Sequence, residues 1–167
     1  MTLDLVFGAA TEADASAIAR LRTDAAERLT RDFGRGHWSS TVSETGVLSG
    51  MRGSYVLVVR DAAEIAGTLT LSTRKPWAIN PAYFSNVRRP LYLTDMAVDP
   101  PKQRLGIGRH LLVEATSIAR RWPADAIRLD AYDASAGAST FYAKCGFHEV
   151  GRVVYRGTPL VYFELVL

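Results

Sequence analysis

Residues 91–121 read LYLTDMAVDPPKQRLGIGRHLLVEATSIARR, and their interpretation decides the fold. An extended apolar run breaks at Asp99-Pro100-Pro101, passes through a glycine-punctuated turn and becomes a helix whose apolar residues Ile107, Leu111, Leu112, Ala115, Ile118, Ala119 and Trp122 share one face. A helix N-terminus leaves backbone N–H groups unpaired and carries partial positive charge, and glycines let a phosphate approach the backbone closely. Phosphate binding is the expectation. Two common phosphate loops do not fit. A Walker loop needs Gly-Lys-Ser/Thr, whereas Gly108 is followed by Arg109-His110-Leu111. The dinucleotide fingerprint begins at Gly106-Ile107-Gly108, but its third glycine position holds Leu111.

The 167 residues, 48% hydrophobic and 22% charged, are expected to form a single domain spanning 1–167, large enough to bury about two thirds of its unfolded surface. The lone cysteine, Cys145, has no disulfide partner, and His37, His110 and His148 are scattered without metal-ligand spacing. No metal is expected. The N-terminus lacks a signal-peptide pattern and no apolar run approaches the roughly 20 residues that span a bilayer, so a cytoplasmic location without membrane contact is expected. The formal charge of +3 is spread along the chain. Without a basic block or stripe, nucleic acid is not expected as a partner.

The remaining chain supplies the other elements. Leu3 to Phe7 reads as a strand, and Thr11 before Glu12-Ala13-Asp14 caps a helix bearing Ile18, Leu21, Ala25 and Leu29 at helical spacing. Ser39-Ser40 predicts a second cap for a short helix carrying Val47 and Met51. Tyr55 to Arg60 and Ile65 to Thr73 are joined too closely to cross a sheet and predict an antiparallel hairpin. A long irregular segment, Arg74 to Pro90, holds Trp77, Tyr83 and Phe84; these anchor the loop or wall a pocket. Ile127 to Ala131 follows the long helix, so Leu91–Val98, helix and strand predict a right-handed parallel crossover. Ala136 to Lys144 reads as a short helix stopped by Gly146, and Phe147 to Tyr155 with Val161 to Leu167 as a closing hairpin.

The turn Gln103-Arg104-Leu105-Gly106-Ile107-Gly108 between strand and helix resembles the pyrophosphate loop, Gln/Arg-x-x-Gly-x-Gly, of the GCN5-related N-acetyltransferases. A second stretch, residues 129–147, LDAYDASAGASTFYAKCGF, resembles the family's other diagnostic block, Asn-x-x-Ala-x-x-Phe-Tyr-x-x-x-Gly-Phe, with Ala138, Phe141, Tyr142, Gly146 and Phe147 in register. Ser135 stands where the family often has Asn. Alone, Phe141 and Tyr142 read as packing residues; their fixed relation to the upstream loop favours the resemblance.

That resemblance implies a mixed α+β fold, with a mostly antiparallel sheet, a parallel strand pair that splays at the cofactor and about four flanking helices. It also implies an acetyl-CoA-dependent N-acetyltransferase that attacks directly in a ternary complex. Gln103, Arg104, Leu105, Gly106, Ile107, Gly108 and Arg109 would hold the pyrophosphate, Met96, Ala97 and Val98 the pantetheine arm, with Ser135 and Tyr142 also against the cofactor. Tyr142 is the expected acid for the leaving thiolate, because a phenol of pKa about 10 lies near a thiol at about 8.5. Asp130 and Asp95 are the candidate bases; the alternative is that each pairs with an arginine such as Arg128. Alternating directions along Leu91–Val98 put Leu93, Asp95 and Ala97 on one face and Thr94, Met96 and Val98 on the other. The acceptor is a small-molecule or peptide amine whose identity the residues do not select, and exposed strand edges allow a homodimer. A CoA-binding regulatory module of the same fold is the competing class, separated by whether any amine is acetylated.

Overall fold

The computed structural model describes residues 2–167. Seven strands, β1 (Leu5–Ala9), β2 (Tyr55–Asp61), β3 (Glu64–Ser72), β4 (Pro90–Val98), β5 (Ala126–Tyr132), β6 (His148–Tyr155) and β7 (Thr158–Val166), form a sheet of order β1-β2-β3-β4-β5-β7-β6. Four helices accompany it: α1 (Ala15–Phe33), α2 (Glu44–Met51), α3 (Ile107–Arg121) and α4 (Ser139–Lys144). The pairs β1·β2, β2·β3, β5·β7 and β6·β7 are antiparallel and β4·β5 is parallel, as the short hairpin connections and the long crossover through α3 require. The expected α+β architecture is the one observed.

The described residues of Met1–Leu71 together with Asp95–Ala115 make one compact unit, and Ser72–Thr94 with Thr116–Leu167 another. In the first, Thr11 opens the helical segment through a capping box: its N–H donates to Asp14 Oδ2 at 2.9 Å. The apolar stripe of α1 then meets α2 and β2, with Ala15, Ile18, Ala19, Val47, Val56 and Val58 enclosed together. Each large aliphatic side chain buried this way contributes roughly 1.5–3 kcal/mol. At Gly67 of β3 the space is tight, since a Cβ would lie 2.9 Å from Leu111 Cδ1 of α3 and 3.3 Å from the Ala97 carbonyl. The glycine lets α3 press on β3.

The second unit is built around β5 and β7, whose register runs from Ala126↔Val166 to Tyr132↔Leu160. Ile79, Phe84, Tyr92 and Tyr162 form its aromatic cluster. Within apolar β5 and β7, Arg128 and Glu164 are both buried and paired at 2.9 Å. Buried charge is tolerated there because both partners are further satisfied: Arg128 Nη2 donates to the Ser85 carbonyl at 2.6 Å, and Glu164 Oε1 accepts from the Ser85 N–H at 3.0 Å.

Four expectations need correction. The cap of α2 is Ser43, whose hydroxyl accepts from the Gly46 N–H at 3.0 Å, not Ser39-Ser40; Ser39 instead binds Thr30 and the Gly36 N–H. Helix α4 begins at Ser139, three residues late, because Ala134 to Gly137 forms a turn closed by Gly137 N–H to Ala134 O at 2.9 Å. Trp122 lies beyond the end of α3 and is 41% exposed. Finally, regular alternation does not hold through β4, because Asp95 adopts φ +54. A strand with a left-handed residue cannot keep a strict two-residue period.

The segment between β3 and β4 is firmly held. Tyr162 donates its hydroxyl proton to the Ala78 carbonyl and accepts from the Asn80 N–H at 3.1 Å. Phe84 is buried against Tyr162 and beneath the Arg128 guanidinium, 4.9 Å from its ring centre. Phe84 is therefore an anchor, whereas Trp77 is 89% exposed and anchors nothing to the core.

Candidate active site

The turn that follows β4 is held both from within and by the β2–β3 hairpin. Asp99 donates its N–H to Ala66 O at 2.9 Å, and a 3-10 turn spans Pro100–Lys102. Lys102 Nζ reaches Asp61 Oδ2 at 3.3 Å and Glu64 Oε2 at 3.9 Å, tying the turn to the β2–β3 connection. Gln103 bends back so that Nε2 donates to Val98 O at 3.1 Å. Its side chain therefore braces the loop. Arg104 and Gly106 then take positive φ, +63 and +86, and the second is the value that favours glycine. A Cβ added at Gly106 would meet only the His110 ring, at 3.8 Å.

Helix α3 starts at Ile107, and its first turn closes where the His110 N–H donates to Gly106 O at 3.1 Å. The N–H groups of Ile107, Gly108 and Arg109 precede that bond, so the helix provides them no carbonyl. Arg104 and Arg109 are exposed on either side of the turn. Three aligned donors, the positive helix end and two cations form a donor set suited to a multiply charged anion and unsuited to a metal. Leu105 is exposed and Ile107 is buried beneath the turn.

Upstream, Met96, Ala97 and Val98 are half-buried and Asp95 is exposed. The parallel register of β4 with β5 runs Pro90↔Ala126, Leu91↔Ile127 and Tyr92↔Arg128 and stops, although the strands continue to Val98 and Tyr132. The two strands thus share only their first rungs. The unusual φ of Asp95 follows shortly after the last one.

In the second unit, Tyr142 on α4 is 8% exposed, its ring held edge-on by Phe141 and Phe147 at 5.3 and 5.8 Å and tilted against Phe163 at 5.9 Å. Burial first, then the charges of Asp130 and Cys145, push the phenol well above its ordinary value. Asp130 lies on β5 opposite Tyr162, and burial raises its carboxyl as well. The arginine pairing considered for Asp130 does not occur: Arg128 is committed to Glu164, and no hydrogen bond or ion pair holds Asp130 among the described residues. Ser135 is exposed in the turn before α4. There Gly137 is obligatory, since a Cβ would fall 1.9 Å from Tyr132 O. His110 and His148 are exposed and Cys145 is half-buried.

Several contacts important to this arrangement were not read from sequence. Lys102 and Gln103 brace the turn, Tyr162 anchors the β3–β4 segment, and Arg128 with Glu164 forms its floor. The available signal was charge inside an apolar run: Arg128 sits between Ile127 and Leu129, and Glu164 between Phe163 and Leu165. The same signal marks Arg22, four residues after Ile18 on the inward stripe of α1. Among the described residues no cluster of three or more His, Cys, Asp or Glu side chains could hold a metal ion, and no helix is long and apolar enough to cross a membrane.

The sequence model of the Acetyltransferase (GNAT) family matches residues 18–147. A search of curated protein sequences finds no match. Among solved structures, yncA from Salmonella typhimurium, determined with its cofactor acetyl-CoA, superposes with a TM-score of 0.72 at 20% identity, covering 98% of this chain and 94% of that one. A ribosomal-protein-alanine N-acetyltransferase from Brucella melitensis superposes with a TM-score of 0.75 at 22% identity, over 97% and 99% of the two chains. The ribosomal-protein-S18-alanine N-acetyltransferase from Escherichia coli gives 0.72 at 17% identity, over 98% and 94%. At these identities the likeness is one of fold.

Proposed function

The chain belongs to the GNAT acetyltransferase family, and from that membership we propose that it transfers an acetyl group from acetyl-CoA to a primary amine by direct attack in a ternary complex. The observation that carries the reading is the turn before α3, where Arg104 and Gly106 at positive φ precede three N–H donors that the helix leaves without carbonyls. Its donor set fits a pyrophosphate. The backbone and side chains of Gln103 to Arg109 would hold that group, with the Arg104 and Arg109 guanidiniums adding charge and Gln103 bracing the loop from within. Met96, Ala97 and Val98 would align the pantetheine arm, a role supported by the short β4·β5 register and the turn of the chain at Asp95. The N–H of Met96 or of its neighbours on β4 is the candidate donor to the thioester carbonyl. Ser135 would offer its hydroxyl to the same arm.

When bound, acetyl-CoA supplies an activated acyl group with a thiolate as leaving group. Tyr142 holds its phenolic proton throughout the neutral range, because burial raises its pKa. The enclosure that raises the phenol would also raise a thiol beside it, so the two stay matched for proton transfer from the Tyr142 hydroxyl. Asp130, lifted by burial toward neutrality, is the better candidate to accept the amine proton; exposed Asp95 is the second. The acceptor class is a small-molecule or peptide amine. The two compact units are read as one domain, since β4 and α3 each run from one into the other. A cytoplasmic monomer or homodimer completes the proposal.

Initial rates with both substrates varied test direct attack. Intersecting double-reciprocal lines are expected; parallel lines would mean an acylated enzyme and would rule out a ternary complex.

A further inference from the structure

Arg22 differs from the other arginines that are buried or half-buried. Its Nε is the one buried side-chain nitrogen or oxygen without a hydrogen-bond partner among the described residues. Its Nη2 donates to the neutral Thr70 hydroxyl at 3.3 Å, a long contact, and no salt bridge holds it among the described residues. Arg128, by contrast, meets Glu164 at 2.9 Å, and Arg60 meets Asp14 at 2.7 Å. A half-buried guanidinium whose Nε is cut off from water and whose anion is missing at bonding distance is costly, and native proteins retain such a group where something else completes it. Burial lowers the Arg22 pKa, and the charge of Asp95 works in the opposite direction.

Arg22 reaches from α1 to Thr70 on β3, and the charge of Asp95, at φ +54 on the neighbouring β4, is felt at its guanidinium. Backbone strain of this kind in a non-glycine residue collects at ligand sites. An anion bound at Arg22 would not come from the cofactor. Its phosphates are assigned to Arg104–Arg109, and its acyl end carries no negative charge. A cation and a carboxylate set near one another complement a ligand bearing the reverse pair.

We propose that Arg22 recognises the carboxylate of the acceptor, with Asp95 drawing its ammonium group, so that the amine acetylated is that of an amino acid. This rests on the acetyltransferase reading above. Arg22 is thus assigned to specificity, and its lack of an internal anion is explained by the substrate that supplies one.

The test uses L-amino acids and their decarboxylated amines, matched in side chain, with acetyl-CoA and the full-length protein. Wild type is expected to favour the amino acid by roughly 100-fold in kcat/KM, since a site built for a charged group rejects the analogue lacking it. Arg22→Gln should collapse that ratio toward one, chiefly through KM, and Arg22→Lys should retain part of it. A merely structural role would lower both rates together and leave the ratio unchanged, which would overturn the proposal. Acetylation of simple amines or polyamines but not amino acids would also overturn it while leaving the enzyme reading intact. Acetyl-CoA binding with no acceptor acetylated at all would remove both.

Discussion

Asp130 and Tyr142 lie within electrostatic reach of each other, so that the carboxylate adds to burial in holding the proton on the phenol. One group comes from β5 and the other from α4, twelve positions later in sequence. Their coupling gives the proposed acid and base opposite demands: ionised Asp130 keeps Tyr142 protonated, and loss of the Tyr142 proton would disfavour charge on Asp130.

Replacement of Tyr142 by Phe keeps the ring among Phe141, Phe147 and Phe163 and removes only the hydroxyl. Turnover should fall by roughly 100-fold, the scale of a lost general acid, while calorimetry shows little change in acetyl-CoA affinity. Unchanged turnover, with slow product release excluded by pre-steady-state measurement, would remove Tyr142 from the chemistry.

Asp130→Asn should separate stability from activity. Because burial raises the Asp130 carboxyl above its ordinary 3.8, the folded state keeps that proton at pH values where the unfolded chain has lost it. Wild-type stability is therefore reduced as pH rises through that window. The variant should melt at higher temperature than wild type above the window, with the difference vanishing below pH 3.8. Its acetyl transfer should drop by roughly 100-fold. A variant that is no more stable at neutral pH would show that Asp130 is not held against its charge.

The Arg128–Glu164 pair should behave in the opposite sense. Burial alone would raise Glu164, but hydrogen bonds from Ser85 and Arg128 outweigh it and hold the carboxyl below its usual 4.5. Its contribution is present above pH 4.5 and lost as pH falls through the lowered value. Arg128→Met should cost about 3–5 kcal/mol in denaturant unfolding, because it leaves Glu164 buried and unpaired. Arg128→Met combined with Glu164→Leu should cost less than the single change.

Much of this fold was readable because its signals are local. The period of α3, the cap at Thr11 and the short β2–β3 and β6–β7 connections each reside within a few residues, and each element formed near its expected place. What escaped involves partners far apart. Arg128 and Glu164 are 36 residues apart, and Tyr162 reaches Ala78 and Asn80 across more than 80. The irregularity of β4 was hidden for another reason: its left-handed residue is Asp95, and without a glycine nothing in the sequence announces the turn. In the candidate site, the loop residues and Tyr142 were legible as motifs, whereas the bracing of Gln103 and the exposed position of Asp95 required coordinates.

Two glycine substitutions should fail differently. Gly106→Ala forces a side chain to φ +86 in open space, costing about 1–2 kcal/mol and weakening acetyl-CoA binding by roughly tenfold as the turn shifts. Gly67→Ala meets Leu111 instead and should cost about 1–3 kcal/mol through overpacking, with the folded protein still binding acetyl-CoA. Paired melting curves and calorimetric titrations distinguish the two.

Delivery to an amine of an acetyl group anchored through the turn before α3 is tested by following thiol release from acetyl-CoA while amino acids, simple amines, polyamines and peptides are added one at a time. Release that depends on an added amine, matched by an equal amount of acetylated amine, is expected. Tight acetyl-CoA binding with no amine-dependent release across the panel would contradict it and leave a cofactor-binding regulatory module in its place.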